Sequence, residues 1–569
     1  MRLDYPLNNV NTYETVGEFL QKAESRFGDR PAVTVYDWEG KEHCYTYRML
    51  ARDAKALALV LLDMGIAGKH LAIAGENGYE WLVMFLACCS VGAVALPVDV
   101  EQQDEKILQC IRYGDSCMAA VSREYEFLFQ DFPGCPVLCL WDAHSDNSFP
   151  SLLLRGYEAL KSREEELNLA MDKVQADETA VIIYTSGTLN SPKPVMLSHG
   201  NIMFNACHAQ ALVEAGDKAY TCLPLYHAYS LVCGALNVLT QGQHLGLNGS
   251  VKNWMRDLRL FCPEMILLVP MMMESLIRSI RLEQKRDGTR EEAKKALKRY
   301  QSRKKYHLSC SPFVHDALTR VLGDSVSLII CGGAQQNERL AQEFGCYGIC
   351  VLQGYGVTEC GPLISVNRNR RHRENSVGVL LPETRVKIRD GEILVKGPSV
   401  FKGYYKADGE TKKAFSDGWF CTGDLGYMDR KGFLYITGRK KNLVVFSNGK
   451  KVVPEELEEL ILQIPLVREV MVYGASNGQT ADDVKLSAVI YADPQKTRGM
   501  TSYEVLERIQ EEIYELNKKL PFHKRIQLIR MSKDVAGRNQ FKRLDMYRTA
   551  IRDKVSHAIN TDELDHIFD

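Results

Sequence analysis

A loop rich in hydroxyl groups follows an apolar run in the first half of the chain. Residues 184–195 read YTSGTLNSPKPV and include one lysine, Lys193. Hydroxyls and free backbone amides just past a strand can surround a polyphosphate, and a lysine can neutralise its charge. The GxxxxGKS or GxxxxGKT spacing of a Walker loop does not occur here, which disfavours an ordinary P-loop nucleotidase. The loop is therefore either an unusual phosphate-binding loop or a solvent-exposed turn rich in serine and threonine.

A second loop, residues 353–362 with the sequence QGYGVTECGP, also follows an apolar run. Its glycines let the backbone approach a ligand closely, and Tyr355 offers a flat face for a base. Thr358 and Glu359 offer hard oxygen ligands of the kind that Mg²⁺ prefers. Together these groups are the parts of a site for a nucleotide with magnesium.

Other segments carry groups suited to the same ligand. The run CGGA at residues 331–334 closes another apolar segment, and its missing side chains leave room for a planar group. Further along, WFCTGDLG contains Asp424 and ITGRKK contains Arg439. A carboxylate suits a ribose diol, and a guanidinium suits a phosphate or a ribose edge. Asp424 as the cap of a turn and Arg439 in a surface ion pair are the structural alternatives.

The elements that must position these loops can be predicted from short apolar runs that end at glycine or proline and alternate with helical patterns. Such runs are typical of buried parallel strands. They occupy residues 70–75, 93–98, 180–187, 327–334 and 348–356. Because ligands gather at the carboxyl ends of strands in open α/β sheets, we expect the three glycine-rich strand ends to line one crevice.

Beyond this region the pattern predicts antiparallel hairpins. The segment VKIRDGEILVKG places Asp390-Gly391 between alternating apolar pairs, and YMDRKGFLYITG repeats the pattern around Lys431-Gly432. After Gly438 the pattern predicts a compact α+β domain, with helices at 455–462 and 503–519 and strands at 467–473 and 486–491. The fold class is therefore α/β: a large N-terminal domain of layered α/β sheets with a β-barrel-like subdomain, and a small α+β C-terminal domain.

The length and the net charge of the chain limit the classes of protein to which it can belong. A chain of 569 residues exceeds what one core usually serves, so we expect two or more domains. The net charge of -1 creates no global field that would attract nucleic acid or an anionic membrane. The first residues lack a targeting pattern, and the apolar runs are too short to span a bilayer. We expect a cytoplasmic protein with no transmembrane segment and no nucleic-acid partner.

Two other features have structural interpretations. The 17 cysteines are scattered without a repeated CxxC, which favours reduced core residues over disulfides or zinc ligands. Residues 281–306 are strongly charged with helical composition. We interpret this stretch as a solvated helix, with a nucleic-acid or membrane patch as the alternative.

Taken together, the ordered segments resemble the acyl-adenylate-forming (AMP-binding) superfamily. The resemblance covers nearly the whole chain and rests on YTSGT, SPKPV, PLYHAYSL, CGGA, QGYGVTE, GWFCTGDLG, TGRKKN and NGKKVVPEELE in that order. The chain is most similar to the long-chain acyl-CoA synthetase branch, through TVYDWEG, EILVKGPSVFKGYYK and FSNGKKVVPEELE. The charged residues 281–306 also look like an insertion of that branch.

The resemblance implies an ATP-dependent acid–thiol ligase. Such an enzyme adenylates a carboxylic acid, here expected to be a medium- or long-chain fatty acid, with release of pyrophosphate. It then transfers the acyl group to CoA or, alternatively, to the phosphopantetheine of a carrier protein. The chemistry depends on positioning and charge neutralisation rather than on a covalent nucleophile.

The resemblance also assigns residues. The pyrophosphate side of ATP would be held by Thr185, Ser186, Gly187, Thr188 and Lys193, and Mg²⁺ by Thr185 and Glu359. The rest of the nucleotide would be held by Gly333, Ala334, Gly354, Tyr355, Gly356, Thr358, Asp424 and Arg439.

Near the acyl site, His227 matches an aromatic-or-histidine gate of the superfamily. From its sequence context alone, a histidine between Tyr226 and Tyr229 is more typical of a packed core residue. Met271, Met272 and Met273 either line a deformable acyl tunnel or pack in the core.

The resemblance further implies that the small C-terminal domain is mobile. We expect an N-terminal domain at 1–438, a hinge at 439–442 with Lys441 as its pivot, and a C-terminal domain at 443–569. Rotation about the hinge would let one site run both half-reactions in turn. Asn448, Gly449 and Lys450 would then lie where the pantetheine of CoA arrives.

The sequence departs from the family pattern at positions that the family uses in the adenylation step. Leu189, Asn190 and Pro194 replace the usual residues of the phosphate loop, and Pro194 removes a backbone N–H. Near the C-terminus the family supplies a lysine, but residues 532–543 read SKDVAGRNQFKR. That segment offers Arg538, or Gln540 followed by Lys542, in the place of the lysine. These departures leave open a degenerate paralogue that binds nucleotide or acyl-adenylate with little turnover.

Overall fold

The structure is a computed structural model that describes residues 6–129, 135–185, 193–250, 252–306, 308, 310–333, 338–373, 375–446, 450–476, 485–532 and 559–560. Its largest sheet has nine strands, with parallel strands at the centre and antiparallel strands at both edges. In spatial order these strands are Val379–Leu380, Leu363–Val366, Cys350–Gly356, Leu328–Cys331, Met265–Leu268, Lys218–Thr221, His244–Leu247, Pro31–Tyr36 and Glu42–Thr46.

A second sheet of seven strands is also mainly parallel, and its antiparallel pairings are those that the strand Lys193–Ser198 makes with its two neighbours. Its strands in spatial order are Gly403–Tyr404, Lys193–Ser198, Thr179–Thr185, Val94–Val98, His70–Ala74, Ser116–Val121 and Val137–Cys139. All five apolar runs of the sequence form strands in these two sheets, which confirms that part of the prediction.

Helices connect the strands of both sheets. They span Val16–Phe27, Tyr47–Asp63, Tyr79–Ser90, Asp104–Tyr113, Phe149–Asp172, His199–Leu212, Asn237–Thr240, Trp254–Phe261, Pro270–Arg286, Arg290–Lys305, Asp316–Leu322, Glu338–Cys346 and Asp408–Ala414. A helix that is apolar on every side must be buried. Tyr79–Ser90 is such a helix, and Trp81 within it is fully enclosed.

A five-stranded antiparallel sheet forms the barrel-like subdomain. Its strands are Arg385–Arg389, Glu392–Lys396, Phe415–Ser416, Trp419–Met428 and Leu434–Arg439. Asp390 and Gly391 both have positive φ, at 52° and 82°, which is the geometry of a two-residue hairpin turn that matches the twist of its strands.

The C-terminal region has its own sheet and its own apolar core. Its four-stranded sheet consists of Leu528–Met531, Lys485–Ala492, Val467–Ser476 and Ile559–Asn560, and a separate pair consists of Val444–Val445 and Lys451–Val452. The helices Pro454–Ile461 and Ser502–Lys518 lie within two residues of the predicted bounds. The predicted fold class is confirmed, whereas the exact domain boundaries stay predictions.

The charged stretch at residues 281–306 forms the end of helix Pro270–Arg286 and the helix Arg290–Lys305. Ala293 is the buried residue of the second helix, so most of its charged side chains face solvent as predicted. Most of the cysteines are buried thiols. Within the described ranges, no helix is long and apolar enough to cross a membrane.

Candidate active site

Contacts connect described residues of the two loops predicted to bind phosphate and metal. Thr185 ends one strand and pairs with Lys193, whose carbonyl accepts a hydrogen bond of 3.5 Å from the Thr185 hydroxyl. The Lys193 ammonium lies 5.0 Å from the ring centre of Tyr404. The Tyr404 hydroxyl donates to Glu359 Oε1 at 2.8 Å. The predicted phosphate lysine and metal carboxylate are therefore linked through one aromatic side chain.

Glu359 is fixed by its backbone as well as by this bond. It lies in the 3₁₀ turn Thr358–Cys360, and its carbonyl accepts from Phe401 N at 2.8 Å. Lys193 forms an ion pair of 3.2 Å with Glu410, and both side chains are 44% exposed. The Lys193 ammonium thus remains at the surface of the crevice, where an anionic ligand can reach it.

Tyr355, Asp424 and Arg439 form a second connected group. Tyr355 donates to Asp424 Oδ2 at 2.7 Å, and Arg439 Nε lies 3.0 Å from Asp424 Oδ1. Asp424 faces Arg439 across the ladder between strands Trp419–Met428 and Leu434–Arg439. Asp424 therefore lies inside a strand rather than at the cap of a turn, and the ion pair expected as an alternative for Arg439 is made with Asp424 itself.

The electrostatics of Asp424 are set by opposing effects. Its side chain is only 4% exposed, and this burial raises the pKa of the carboxyl above its usual value. The positive charge of Arg439 and the hydrogen bond from Tyr355 lower that pKa again, and Lys441 acts in the same direction. The net result is a raised pKa of a buried carboxyl whose two oxygens contact Tyr355 and Arg439.

The glycines of the strand ends are required by packing. A Cβ at Gly356 would lie 2.0 Å from the Pro362 carbonyl, and Gly333 has φ +80°. Neither place tolerates an ordinary side chain without rearrangement. Gly354 is buried beside Tyr355, and Thr358 follows in the turn before Glu359.

His227 is exposed and therefore does not pack in the core, so the core interpretation suggested by its context is wrong. Its ring lies 4.6 Å from that of Tyr226, which is buried. Tyr229 begins a π-helical segment, and its hydroxyl donates to the Ile330 carbonyl at 3.2 Å. The role of His227 as a gate stays a prediction.

The methionines of helix Pro270–Arg286 divide into two kinds. Met271 is 60% exposed, whereas Met272 and Met273 belong to an apolar core cluster. Core packing is therefore confirmed for the latter two residues, and a tunnel role stays a prediction.

Pro194 is accommodated in the strand Lys193–Ser198. It pairs with Tyr184 in the ladder, and its carbonyl accepts from Tyr405 N at 2.9 Å. The loss of one backbone N–H leaves this strand intact on both sides.

The predicted pivot, Lys441, is exposed within the 3₁₀ turn Lys440–Asn442. The neighbouring Lys440 forms an ion pair of 2.6 Å with Glu392, whose side chain is 9% exposed. Lys450 is exposed beyond the turn, and its carbonyl accepts from Phe446 N at 2.9 Å.

Several predicted residues lie outside the described residues. These are Ser186, Gly187, Thr188, Leu189, Asn190, Ala334, Asn448, Gly449, Arg538, Gln540 and Lys542.

The sequence analysis did not single out Tyr404, Glu410 or Glu392. Tyr404 lies in the family-like segment EILVKGPSVFKGYYK, which was a signal that it could matter. Glu392 is the first residue of the same segment, whereas Glu410 lies outside every family-like segment, and its ion pair joins residues far apart in the chain.

A magnesium ion fits the oxygen atoms at this place. The carboxylate of Glu359 and the hydroxyl of Thr185 are hard ligands, and both side chains are half-buried. Mg²⁺ usually keeps several waters and shares the phosphates of a nucleotide, so one or two protein oxygens suffice.

Comparison with known proteins gives two family matches. The family described as AMP-binding enzyme matches residues 20–405, and the family described as AMP-binding enzyme C-terminal domain matches residues 441–560. The chain is 28% identical over 514 residues to the long-chain-fatty-acid–CoA ligase FadD15 of Mycobacterium bovis, which covers 85% of this chain and 84% of that protein.

A second relative carries a different acceptor in its name. The long-chain-fatty-acid–acyl-carrier-protein ligase AEE15, chloroplastic, of Arabidopsis thaliana is 24% identical over 598 residues, which covers 88% of this chain and 80% of that protein. Among solved structures, o-succinylbenzoate CoA synthetase of Bacillus subtilis, in complex with its acyl-adenylate intermediate OSB-AMP, matches with a TM-score of 0.67. That match has 21% identity over 96% of this chain and 97% of that chain, and it establishes a common fold.

Proposed function

Because this chain belongs to the family of AMP-binding enzymes, we propose that it is an ATP-dependent acid–thiol ligase. The family match confirms the resemblance to the acyl-adenylate-forming superfamily and the prediction that the chain is an enzyme. The observation that carries the proposal is a pair of contact chains that connect the predicted site residues. Lys193, Tyr404 and Glu359 form one chain, and Tyr355, Asp424 and Arg439 form the other.

The first half-reaction joins a carboxylic acid to AMP. A carboxylate oxygen attacks the α-phosphate of ATP, the bond to the β-phosphate oxygen breaks, and pyrophosphate leaves. Lys193 neutralises the phosphates, Tyr355 contacts the base, and Asp424 accepts hydroxyls of the ribose while Arg439 orients its carboxylate. Bound Mg²⁺, held by Glu359 and Thr185, supplies further neutralisation of phosphate charge. Positioning and fixed charge provide the catalysis, since no covalent intermediate with the protein is required.

The second half-reaction transfers the acyl group to a thiol and releases AMP. The domains proposed for this step are residues 1–438 and 443–569, joined by the hinge 439–442 with Lys441 as its pivot. Lys450, on the C-terminal side of the hinge and exposed, supports a role near the arriving pantetheine. Asn448 and Gly449 complete this proposed thiol site.

A medium- or long-chain fatty acid is the proposed substrate, with CoA as the acceptor. The long-chain fatty acid in the names of the relatives from Mycobacterium bovis and Arabidopsis thaliana supports the acid. The carrier-protein ligase among them supports phosphopantetheine on a carrier protein as the alternative acceptor. His227, which is exposed just before the π-helical segment that begins at Tyr229, is the proposed gate to the acyl site.

A second candidate is a paralogue that binds nucleotide or acyl-adenylate with little turnover. The ion pair of Lys193 with Glu410 favours it, because that pair competes with phosphate for the lysine. The segment SKDVAGRNQFKR, with Arg538, or Gln540 followed by Lys542, where the family supplies a lysine, supports the same candidate.

One experiment separates the candidates. The protein is incubated with ATP, Mg²⁺ and a panel of fatty and aromatic acids, with CoA, with a phosphopantetheinylated carrier protein, or with no thiol. We expect pyrophosphate release in all three arms. Without a thiol, release should stop at about one equivalent of pyrophosphate per enzyme molecule. The arm with CoA should also form a thioester. ATP binding without pyrophosphate release from any acid would instead identify the binding paralogue.

A further inference from the structure

We propose that Tyr404 is a positioning residue of the adenylation step, which holds Glu359 and Lys193 in their working places through its hydroxyl and its ring. The inference rests on the proposed function, because it takes Glu359 as the carboxylate for Mg²⁺ and Lys193 as the lysine for phosphate. Tyr404 itself touches neither reacting atom.

The hydroxyl of Tyr404 restricts the carboxylate of Glu359. It donates to Oε1 at 2.8 Å, and Tyr404 is only 5% exposed. Because a carboxylate bonded through one oxygen cannot rotate freely, its second oxygen keeps a fixed direction. Glu359 is already held at its backbone by Phe401 N, so the Tyr404 hydroxyl fixes the remaining freedom of the side chain.

The ring of Tyr404 supports Lys193 from the other side. The ammonium lies 5.0 Å from the ring centre, within the range of a cation–π contact. This contact holds the lysine near the phosphate loop without neutralising its charge. Glu410, 3.2 Å away, is the competing anion, and a phosphate has to displace it.

Tyr404 can act in this way because its own backbone is fixed. The strand Gly403–Tyr404 pairs with Lys193–Ser198, where Tyr404 faces Val195. Tyr404 N donates to the Thr411 hydroxyl at 2.9 Å, and the ring of Phe401 lies 4.9 Å from that of Tyr404. The strand that begins at Lys193 is thus paired directly with the strand that carries Tyr404, the residue that orients the Glu359 carboxylate.

The substitution Tyr404→Phe tests the hydroxyl while it keeps the ring. ATP binding is measured by titration calorimetry over a range of Mg²⁺ concentrations, without acid and without thiol, so that no turnover is needed. We expect the Mg²⁺ concentration for half-maximal ATP binding to rise about tenfold, as for loss of a hydrogen bond to a charged group. ATP binding without Mg²⁺ should stay unchanged, and Tyr404→Leu should weaken that binding as well, because Lys193 then loses the ring.

The neighbouring Tyr405 provides a matched control. Its hydroxyl donates to Asp115 at 2.7 Å, which is the same kind of bond outside the site. Tyr405→Phe should leave the Mg²⁺ dependence at the wild-type value. An equal Mg²⁺ dependence in Tyr404→Phe and Tyr405→Phe would overturn the proposal, and so would wild-type ATP binding that is independent of Mg²⁺.

A double-mutant cycle guards against a general loss of folding. If Tyr404 acts through Glu359, then Tyr404→Phe should have no further effect on Mg²⁺ dependence in the Glu359→Gln background. Additive effects of the two substitutions would contradict the proposal. A wild-type protein that binds ATP with Mg²⁺ but never releases pyrophosphate would refute the ligase function alone, since the binding assay remains valid.

Discussion

At the scale of single residues, Asp424 is a carboxyl whose burial makes its ionised form unfavourable in the folded protein. The folded protein raises the pKa of this carboxyl because water is excluded, and Arg439 and Tyr355 only partly oppose that effect. A raised pKa in the folded state means that ionised Asp424 is more costly there than in the unfolded chain. Its contribution to stability is therefore favourable at low pH and is lost as the pH rises through the folded pKa.

The substitution Asp424→Asn tests this balance. At pH 8 we expect the variant to be at least as stable as the wild type, because it removes a buried charge, and at pH 4 this advantage should shrink. ATP binding should weaken by about tenfold or more, because the amide presents only one acceptor oxygen. Thermal unfolding at both pH values and titration calorimetry with ATP measure the two effects. A large loss of stability at pH 8 with normal ATP affinity would show that Asp424 is purely structural.

At the scale of elements, the strand ends and hairpins could be predicted because their signals are local. Alternating apolar residues around Asp390-Gly391 specify a hairpin, and the apolar run before Thr185 specifies a buried strand. The contacts of the site could not be predicted in this way. Glu359 and Tyr404 are 45 residues apart, and Lys193 and Glu410 are 217 residues apart, so only the fold brings them together.

The exposure of His227 could not be predicted from its neighbours in the sequence, for a similar reason. Flanking tyrosines suggest a core position, and Tyr226 is indeed buried. However, His227 lies in the turn before the π-helical segment that starts at Tyr229, where the side-chain directions no longer follow one regular period.

The strand that leads into the proposed hinge is anchored on two buried carboxylates. Arg439 meets Asp424, and the next residue, Lys440, meets Glu392 at 2.6 Å. Glu392 Oε1 also accepts from Gly423 N at 3.2 Å, so this carboxylate joins two neighbouring strands just before Lys441. In the proposed domain rotation, these two ion pairs would confine the movement to the residues that follow.

The substitution Lys440→Ala should therefore affect the two half-reactions unequally. We expect a loss of about 1 kcal/mol in stability, because Lys440 is largely exposed and water replaces much of the ion pair. Thioester formation should slow several-fold more than pyrophosphate release, as measured by rapid quenching. Lys161→Ala, which removes an exposed ion pair with Glu158, is the control. Equal slowing of both steps would argue against an anchor for domain rotation.

At the scale of the whole molecule, the C-terminal core is separate from the cores of the large domain. Leu457 and Ile509 lie in one cluster with residues of the C-terminal sheet, whereas Leu82 lies in the largest cluster of the N-terminal sheets. The contact at the joint is close, because a Cβ at Gly438 would lie 2.3 Å from the Val453 side chain. Two cores joined by a short segment should unfold as two cooperative units.

Calorimetry of the intact chain should thus show two transitions. Leu457→Ala deletes a fully buried side chain and should destabilise the C-terminal transition by about 2–5 kcal/mol, while the transition of the large domain stays in place. Leu82→Ala should do the reverse. ATP with Mg²⁺ should stabilise chiefly the large domain, which contains Lys193, Glu359 and Asp424. Between the two transitions of Leu457→Ala, ATP should still bind while thioester formation stops, because the proposed second half-reaction uses the folded C-terminal domain. A single transition that shifts with either substitution would instead make the chain one cooperative unit, and the proposed boundary at residues 439–442 would then be wrong.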